Sequence, residues 1–449
     1  MVVFETVLVA NRGEIAVRVM RTAQRLGLAA VAVYSEADKN ALHTRQADEA
    51  VLIGPAPAGQ SYLNVDAVLE AARVSGAQAI HPGYGFLAEN AGFARRVADA
   101  GLVWVGPPPE AIEAMGDKIA ARNAMIEAGV PVAPGTSEPV RDASSAVHAA
   151  ASLGYPLMVK AAAGGGGIGM SAVEDDGQLG AAFETARTRA ERFFGSPAIL
   201  LERCIRPARH VEVQVLGLAD GRVVALGERD CSVQRRHQKV AEEAPAPGLS
   251  AQTRTALLDA ARRAAWAVGY RGAGTVEFLF DPVSEELMFL EMNTRLQVEH
   301  PVTELVTGVD LVEQQLRIAA GQPPSFDPDA VPAARGHAVE FRVYAEDPVR
   351  FLPGPGKITA WQEPTGEGIR VDSGYAEGDT VTPHYDPLMA KLCAWGEDRA
   401  QALDRLGAAA AAFRVEGPKC NLPLLAELLD QPDFRAGDYD TGLVDRMRG

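Results

Sequence analysis

The chain has 449 residues, 47% of them apolar, with 43 basic against 59 acidic side chains and a formal net charge of -16. That length exceeds the roughly 250 to 300 residues at which one core stops growing, so two or more domains are expected, and the dispersed acidic excess, with no long basic run, excludes a phosphate-backbone footprint for nucleic acid. No uncharged apolar run reaches the roughly 18 residues of a membrane span, the start Met1-Val2-Val3-Phe4-Glu5 lacks a basic lead, and the cysteines at 204, 231, 393 and 420 lack zinc or disulfide spacing, so a soluble, cytoplasmic protein with reduced thiols is expected.

Residues 6 to 34 read as strand, helix, strand: Val7 to Val9, a helix bearing Ile15, Val19 and Leu26 and closed by Gly27, and the apolar run Ala29 to Tyr34. The turn Asn11-Arg12-Gly13-Glu14 is neither a dinucleotide fingerprint nor a P-loop. Candidate strands Val51 to Ile53 and Val103 to Val105 alternate with helices at about 65–74 and 90–99, the pattern of a parallel sheet with helices on both faces. His81 to Asn90 follows the short strand Ala79-Ile80, and ligands gather at the carboxyl ends of such strands. A structural turn is the simpler account of His81 and Tyr84.

Gly106 to Pro109 marks a boundary, followed by one expected helix over about 110–128 that carries Asp117 and Lys118, and Gly129 to Gly135 marks a second. Leu157 to Lys160 reads as a strand entering the loop Ala161 to Met170, which has four consecutive glycines. Such a backbone can fold over a ligand and turn its N–H groups toward phosphate; a plain flexible loop is the competing reading, and the neighbouring Lys160 favours phosphate. No Gly-Lys-Ser/Thr follows, which excludes a Walker loop. Only seven of the 43 cationic residues are lysines, so those retained at 118, 160 and 239 suggest a need for a compact ammonium charge.

Arg209 to Gln214 alternates polar and apolar, as a half-buried strand does. Glu228 to Lys239, with Glu242 and Glu243 after it, reads most simply as a solvated charged loop. A helix at about 252–268 leads to the strand Gly272 to Phe280, where Glu277 interrupts an apolar run and, once buried, needs a cation or several donors. Asp281 to Glu286 reads as a hairpin connection to a strand that begins in Leu287 to Leu290, continuously apolar as if buried on both faces, and runs through residues 291–301. If extended, it places Glu291, Asn293, Arg295, Gln297 and Glu299 on one face. Adjacent antiparallel strands then bring Glu277 and Glu291 within reach of one Mg²⁺, and Arg295 offers a planar oxyanion two donors. A third unit begins after Gly321 with the strand His337 to Tyr344, where Arg342 shares a face with Glu340, a simple salt bridge being the alternative.

In order, the segments Ala10 to Ile15, His81 to Phe86, Met115 to Lys118, the glycine loop, Glu228 to Lys239, Arg271 to Thr275 and Glu291 to Pro301 resemble biotin carboxylase, the ATP-grasp component of biotin-dependent carboxylases. The resemblance runs from about Val7 to about residue 443. It implies an α/β and α+β multidomain protein: an N-terminal Rossmann-like pre-ATP-grasp domain over 1–115, an ATP-grasp domain over 116–320 with a mobile lid at about 132–204, and a C-terminal biotin carboxylase domain over 336–443. It also implies that Lys118, Lys160, Gly166, Gly167, Glu202, Arg203, Cys204, Ile205, His210, His237, Glu277 and Glu291 meet ATP, and that Glu277, Glu291 and Asn293 hold Mg²⁺ or Mn²⁺, two ions in all. Lys239, Arg295, Gln297 and Val298 would bind bicarbonate with Glu299 as its base, and Tyr84 and Arg342 would meet biotin. Arg295, Glu299, Lys239 and Arg342 form the implied catalytic set.

The implied reaction carboxylates biotin through carboxyphosphate, as the first half of an acyl-CoA carboxylase. Acetyl-CoA is the commonest acceptor, although Tyr385 to Lys391 also looks like subunits serving propionyl-CoA or longer chains. No lysine sits in a Met-Lys-Met setting, so biotin is expected on a partner carrier protein or domain, with carboxyltransferase subunits as further partners and a homodimer as the assembly. A different ATP-grasp carboxylate ligase would not need Arg295, Gln297, Glu299 and Arg342 together. A non-catalytic nucleotide-binding subunit rests only on Ile168, where the family usually has Arg or Lys. That departure removes a cation from the lid, so ATP binding is expected to be weaker than in basic-loop relatives. Ile168→Arg should lower the KM for ATP in a phosphate-release assay; an unchanged KM overturns this account of the loop.

Overall fold

The protein is described by a computed structural model covering residues 4–162 and 170–448, so the positions expected to cover phosphate, Gly166 and Gly167, and the departure at Ile168 lie outside the described residues. The N-terminal strands form a five-stranded sheet in the order 49–54, 29–35, 6–9, 79–81, 103–104, every pairing parallel, as the alternation with helices predicts. Val7, Leu8 and Val9 are wholly buried, and their alternation feeds two cores on opposite faces of the sheet. At the carboxyl ends of the two central strands, Asn11 Nδ2 donates to the carbonyls of Pro82 (2.8 Å) and Tyr84 (2.7 Å), tying the two loops together. Gly83 is required beside it: its φ is +64°, and a Cβ there would come within 2.9 Å of the Asn11 amide nitrogen.

The single helix expected over 110–128 is two, Pro109–Gly116 and Lys118–Glu127. Asp117 takes an extended conformation between them and caps the second helix, its carboxylate accepting from the amides of Ile119 (2.8 Å) and Ala120 (2.9 Å). A cap inside an apolar-periodic run is what pattern reading overlooked, and it places Lys118 at the start of a helix. Strands 171–173, 157–161 and 199–203 form a separate antiparallel sheet covered by helices Ala143–Leu153 and Asp176–Phe194, with its own core around Leu157, Val159 and Phe183.

The largest sheet has eight antiparallel strands in the order 286–293, 272–281, 209–217, 223–235, 238–244, 337–344, 388–396, 369–373. Two expectations are corrected here. Arg209–Gly217 is buried on both faces rather than half-buried, and Glu228 to Lys239 is not a solvated loop but two paired strands joined by an exposed turn at Arg236 and His237. The charges are tolerated inside because each meets a distant counter-charge: Arg229 with Glu212, Arg209 with Asp230, Glu228 with Arg254 and Arg235 with Glu346. The sheet also crosses from the central unit into the C-terminal one, where residues 241–244 pair with 338–341.

Glu243 locks that crossing. Its carboxylate accepts from Arg399 Nε (2.6 Å) and Nη2 (2.9 Å), lies 2.5 Å from His337 Nε2 and accepts from Tyr439 Oη (2.5 Å). Burial pushes its pKa up, but His337 and Arg399 outweigh burial and bring it down to about 2. A depressed folded pKa stabilises the fold above the carboxyl's unfolded value and ceases to do so as pH falls through the folded one. Glu243→Gln should therefore cost about 3 kcal/mol of stability at pH 7, measured by the urea midpoint, and the gap from wild type should close as pH falls from about 4.5 toward 2. A gap independent of pH overturns the assignment.

Candidate active site

The hairpin Gly272–Asp281/Glu286–Asn293 sets Glu277 directly opposite Glu291, and on its other side Glu277 faces Glu212, so three carboxylates lie in a row across three strands. A bulge beside Glu277 leaves Leu290 without a partner and turns it into the cleft; only Met288 and Phe289 of the run Leu287 to Leu290 are buried, which corrects the expectation of a strand covered on both faces. Lys239, reaching over from strand 238–244, donates to Glu212 Oε2 (2.7 Å), Glu277 Oε1 (3.0 Å) and Glu299 Oε1 (2.7 Å). His210 Nε2 lies 2.8 Å from the other Glu277 oxygen. Beneath them the fully buried Arg229 donates to Glu212 Oε1 (2.5 Å) and to the side chains of Gln214, Thr303 and Thr275.

Residues 291–301 do not stay extended. The strand ends at Asn293, the chain turns, and the helix His300–Thr307 begins with Pro301 in its first turn and Glu299 at its N-cap position. Pro fits the first turn of a helix, where its missing N–H costs nothing, and so favours helix from His300 onward. The side chains converge all the same. Arg295 donates from Nη2 to Asn293 Oδ1 (2.6 Å) and from Nη1 to Gln297 Oε1 (3.0 Å), and Gln297 Nε2 donates to Glu277 Oε1 (3.0 Å). Arg342 bridges Glu299 Oε2 (2.8 Å) and Glu242 Oε1 (2.6 Å), so it is ion-paired, but with these two glutamates, the expected base among them, and not with Glu340 of its own strand.

A cleft of about 760 Å³ is lined by Tyr84, Lys118, Lys160, His210, His237, Lys239, Glu277, Glu291, Asn293, Arg295, Gln297, Val298 and Arg342. A smaller cavity of about 280 Å³ shares Lys118, Lys160, Glu291 and Arg295 with it and adds Glu202, which pairs with Lys160. Arg203, Cys204 and Ile205 line neither cavity; they follow Glu202 at the edge of the separate three-stranded sheet. His81 is structural: its Nδ1 accepts from Gly83 N–H (3.0 Å), its Nε2 meets Gln315 (3.1 Å), and burial lowers its pKa to about 4. Tyr84 faces the cleft with its hydroxyl on Glu14. Sequence reading assigned no role to Glu212, Arg229, Glu242 or Glu89, although Glu89 takes Arg295 Nε at 2.9 Å. All four sit inside quoted motifs, but only register shows which of the charges meet.

Burial by itself would raise the Glu299 pKa, but Lys239, then Arg342 and Arg229, outweigh it and hold the carboxyl well below the usual range. Burial would likewise lower Lys239, and Glu212, Glu277 and Glu299 keep it firmly protonated. Glu291 goes the other way, raised first by burial and then by the charge of Glu277 opposite. Two facing carboxylates, one destabilised by the other, suit a hard divalent cation. Asn293 fits less directly. Its Nδ2 points at Glu277 (3.2 Å) and Glu291 (3.3 Å) while its oxygen accepts from Arg295, so ligation through oxygen requires the amide to turn over.

Facing metal-type carboxylates, lysines directed at one cleft and a separate small α/β sheet beside it define an ATP-grasp ligase. Family models match the chain as biotin carboxylase N-terminal domain (residues 3–112), carbamoyl-phosphate synthase L chain ATP binding domain (117–325) and biotin carboxylase C-terminal domain (340–446). A biotin carboxylase of Halalkalibacterium halodurans is 52% identical over 98% of this chain and 97% of its own. The crystal structure of a biotin carboxylase–beta-gamma-ATP complex from Campylobacter jejuni superposes with a TM-score of 0.96 at 43% identity, covering 99% of both chains. The biotin carboxylase domain dimer of Hydrogenobacter thermophilus 2-oxoglutarate carboxylase, in complex with MgADP, ADP and bicarbonate, gives 0.94 at 43% identity, covering 99% of this chain and 98% of that one. The chain belongs to the biotin carboxylase family, ATP-dependent carboxylating ligases. If Glu291 is a metal ligand, Glu291→Gln should weaken Mn²⁺ binding in the presence of ADP by roughly tenfold or more, read by electron paramagnetic resonance; unchanged binding removes Glu291 from the metal site.

Proposed function

We propose that this chain uses ATP and bicarbonate to carboxylate biotin carried on a partner protein. The observation that carries the reading is that Lys239 and Arg342 hold the two oxygens of Glu299 within one cleft that also contains Arg295 and the Glu277–Glu291 pair. A carboxylate bound by two cations is a weak base. Incoming bicarbonate competes for Lys239 and is gripped by Arg295, so Glu299 gains basicity where a proton must be removed. Arg295, Gln297 and Val298 orient the anion toward ATP, whose phosphates Lys118 and Lys160 neutralise once Lys160 exchanges Glu202 for them. A divalent ion at Glu277 and Glu291, when bound, offsets charge on the transferred phosphoryl group. Bicarbonate, its proton passed to Glu299, attacks the γ-phosphorus as the bond to ADP breaks, and the carboxyphosphate formed decomposes to carbon dioxide and phosphate beside biotin; that phosphate takes the ureido N–H proton and the freed nitrogen bonds to carbon dioxide. Arg342, held firmly cationic by Glu242 and Glu299 against the effect of burial, donates to the developing ureido oxygenate.

The nucleotide, magnesium and bicarbonate named for the two structural relatives support this substrate set. We take the units as 1–115, 116–320 and 336–443, with about 132–204 as a lid that keeps water from carboxyphosphate. The chain works in the cytoplasm as a homodimer with a biotin carrier and carboxyltransferase subunits, and acetyl-CoA is the acceptor we favour.

Phosphate release measured with and without bicarbonate and free biotin tests the reading. Wild type should cleave ATP only with bicarbonate and faster with biotin, and Glu299→Gln should be slower by about 10² to 10⁴ while retaining nucleotide binding. Equal rates for the two proteins remove Glu299 as the base. Cleavage indifferent to bicarbonate points to a different ATP-grasp ligase.

A further inference from the structure

Of the seven lysines, those at 39, 357 and 419 are exposed, three face the cleft, and Lys391 is buried with no measurable exposure. Nothing in the reaction outlined above uses it. It sits on strand Leu388–Gly396, behind the cleft wall. Its ammonium donates to the carbonyl of Val298 (3.0 Å), lies 2.9 Å from Glu14 Oε2 and reaches to 3.8 Å from Asp372 Oδ2. Val298 belongs to the turn before the base, Glu14 to the first turn of the helix Gly13–Arg25, and Lys391 to the C-terminal unit, so one buried cation joins the three parts of the chain. A compact ammonium presents three donors at one point, which suits a single buried junction of a carbonyl and a carboxylate from two other parts of the chain.

We infer that Lys391 is a positioning residue that fixes the 297–299 turn and, through it, Glu299; this rests on the reading of Glu299 as the base. The turn has little holding it locally. His300 N–H reaches Gln297 O at 3.4 Å and Val302 N–H reaches Glu299 O at 3.3 Å, both long, and the closer tie is the His300 ring nitrogen on Gln297 O (2.8 Å). Lys391 anchors the intervening carbonyl from outside. Glu14 in turn accepts from the Tyr84 hydroxyl on the opposite wall, so the wall expected to meet biotin and the peptide that carries the base share one counter-ion. Lys391→Met is close in length and keeps the apolar stem while removing the donor.

The test compares Lys391→Met with wild type in two ways. Hydrogen–deuterium exchange of peptides spanning 297–300 should become at least about tenfold faster, with the strand 337–344 unchanged. The KM for bicarbonate should rise and kcat should fall, each by about tenfold or more, while affinity for a non-hydrolysable ATP analogue stays within about twofold. Unchanged exchange at 297–300, or an equal loss of ATP affinity, overturns the inference and marks Lys391 as merely structural. The exchange result stands whether or not wild type proves bicarbonate-dependent, so failure here is distinct from failure of the proposed reaction. Should Lys391→Met not fold, Glu14→Gln, which leaves the ammonium but removes its nearest counter-charge, should show the same changes in smaller measure; no change in either readout likewise overturns it.

Discussion

A single ammonium group among three carboxylates governs the architecture of the site. Lys239 satisfies Glu212 and Glu277 on adjacent strands together with Glu299 at the start of a helix, and without it three buried acids would face one another. Their mutual repulsion at low dielectric would push at least one to take up a proton, which is the state Glu291 already leans toward beside Glu277. The cost of burying these charges is offset by mutual contact, and each contact constrains a different element of the cleft. The positions of Glu299, the Glu277–Glu291 pair and Arg295 are therefore coupled.

That coupling explains why the resting contacts look inhibitory. Glu299 is held below its normal basicity, Lys160 is paired with Glu202, and the oxygen of Asn293 is turned to Arg295. In the proposed reaction each is an internal substitute for a substrate charge: Lys160 would exchange its partner for phosphate, Arg295 and Lys239 theirs for an inorganic anion, and the Glu277–Glu291 pair would take a cation. Preorganisation here means that each group already has a partner of the right sign, released only when a ligand offers a better one.

The fold supplies the frame through continuity. The eight-stranded sheet carries Glu212, Glu277, Glu291, Lys239 and Arg342 on neighbouring strands, so their spacing is set by ladder geometry rather than by loops. The N-terminal sheet contributes the loops at its strand ends, Asn11 to Glu14 and Pro82 to Phe86, which close the cleft opposite the carboxylates. Buried ion pairs such as Glu243 with Arg399 and Lys391 with Glu14 then tie the units to one another.

The parallel N-terminal sheet, the hairpin that opposes Glu277 to Glu291, and the identity of the lysines and arginines in the cleft were all legible in the chain, because short-range periodicity and motif spacing encode them directly. Three things were not. The capped break at Asp117, the pairing of residues 228–235 into buried strand, and the turn that ends the strand at Asn293 depend on contacts with other elements or on local caps hidden within periodic runs. A run of charges looks solvated until its counter-ions are known: Arg229 is buried only because Glu212 arrives on the neighbouring strand, and Lys391 only because Glu14 and Val298 arrive from two other parts of the chain. Sequence set which chemistry was available, and tertiary structure decided which charges meet, since the Coulomb energy of a pair depends on a distance that no local pattern contains.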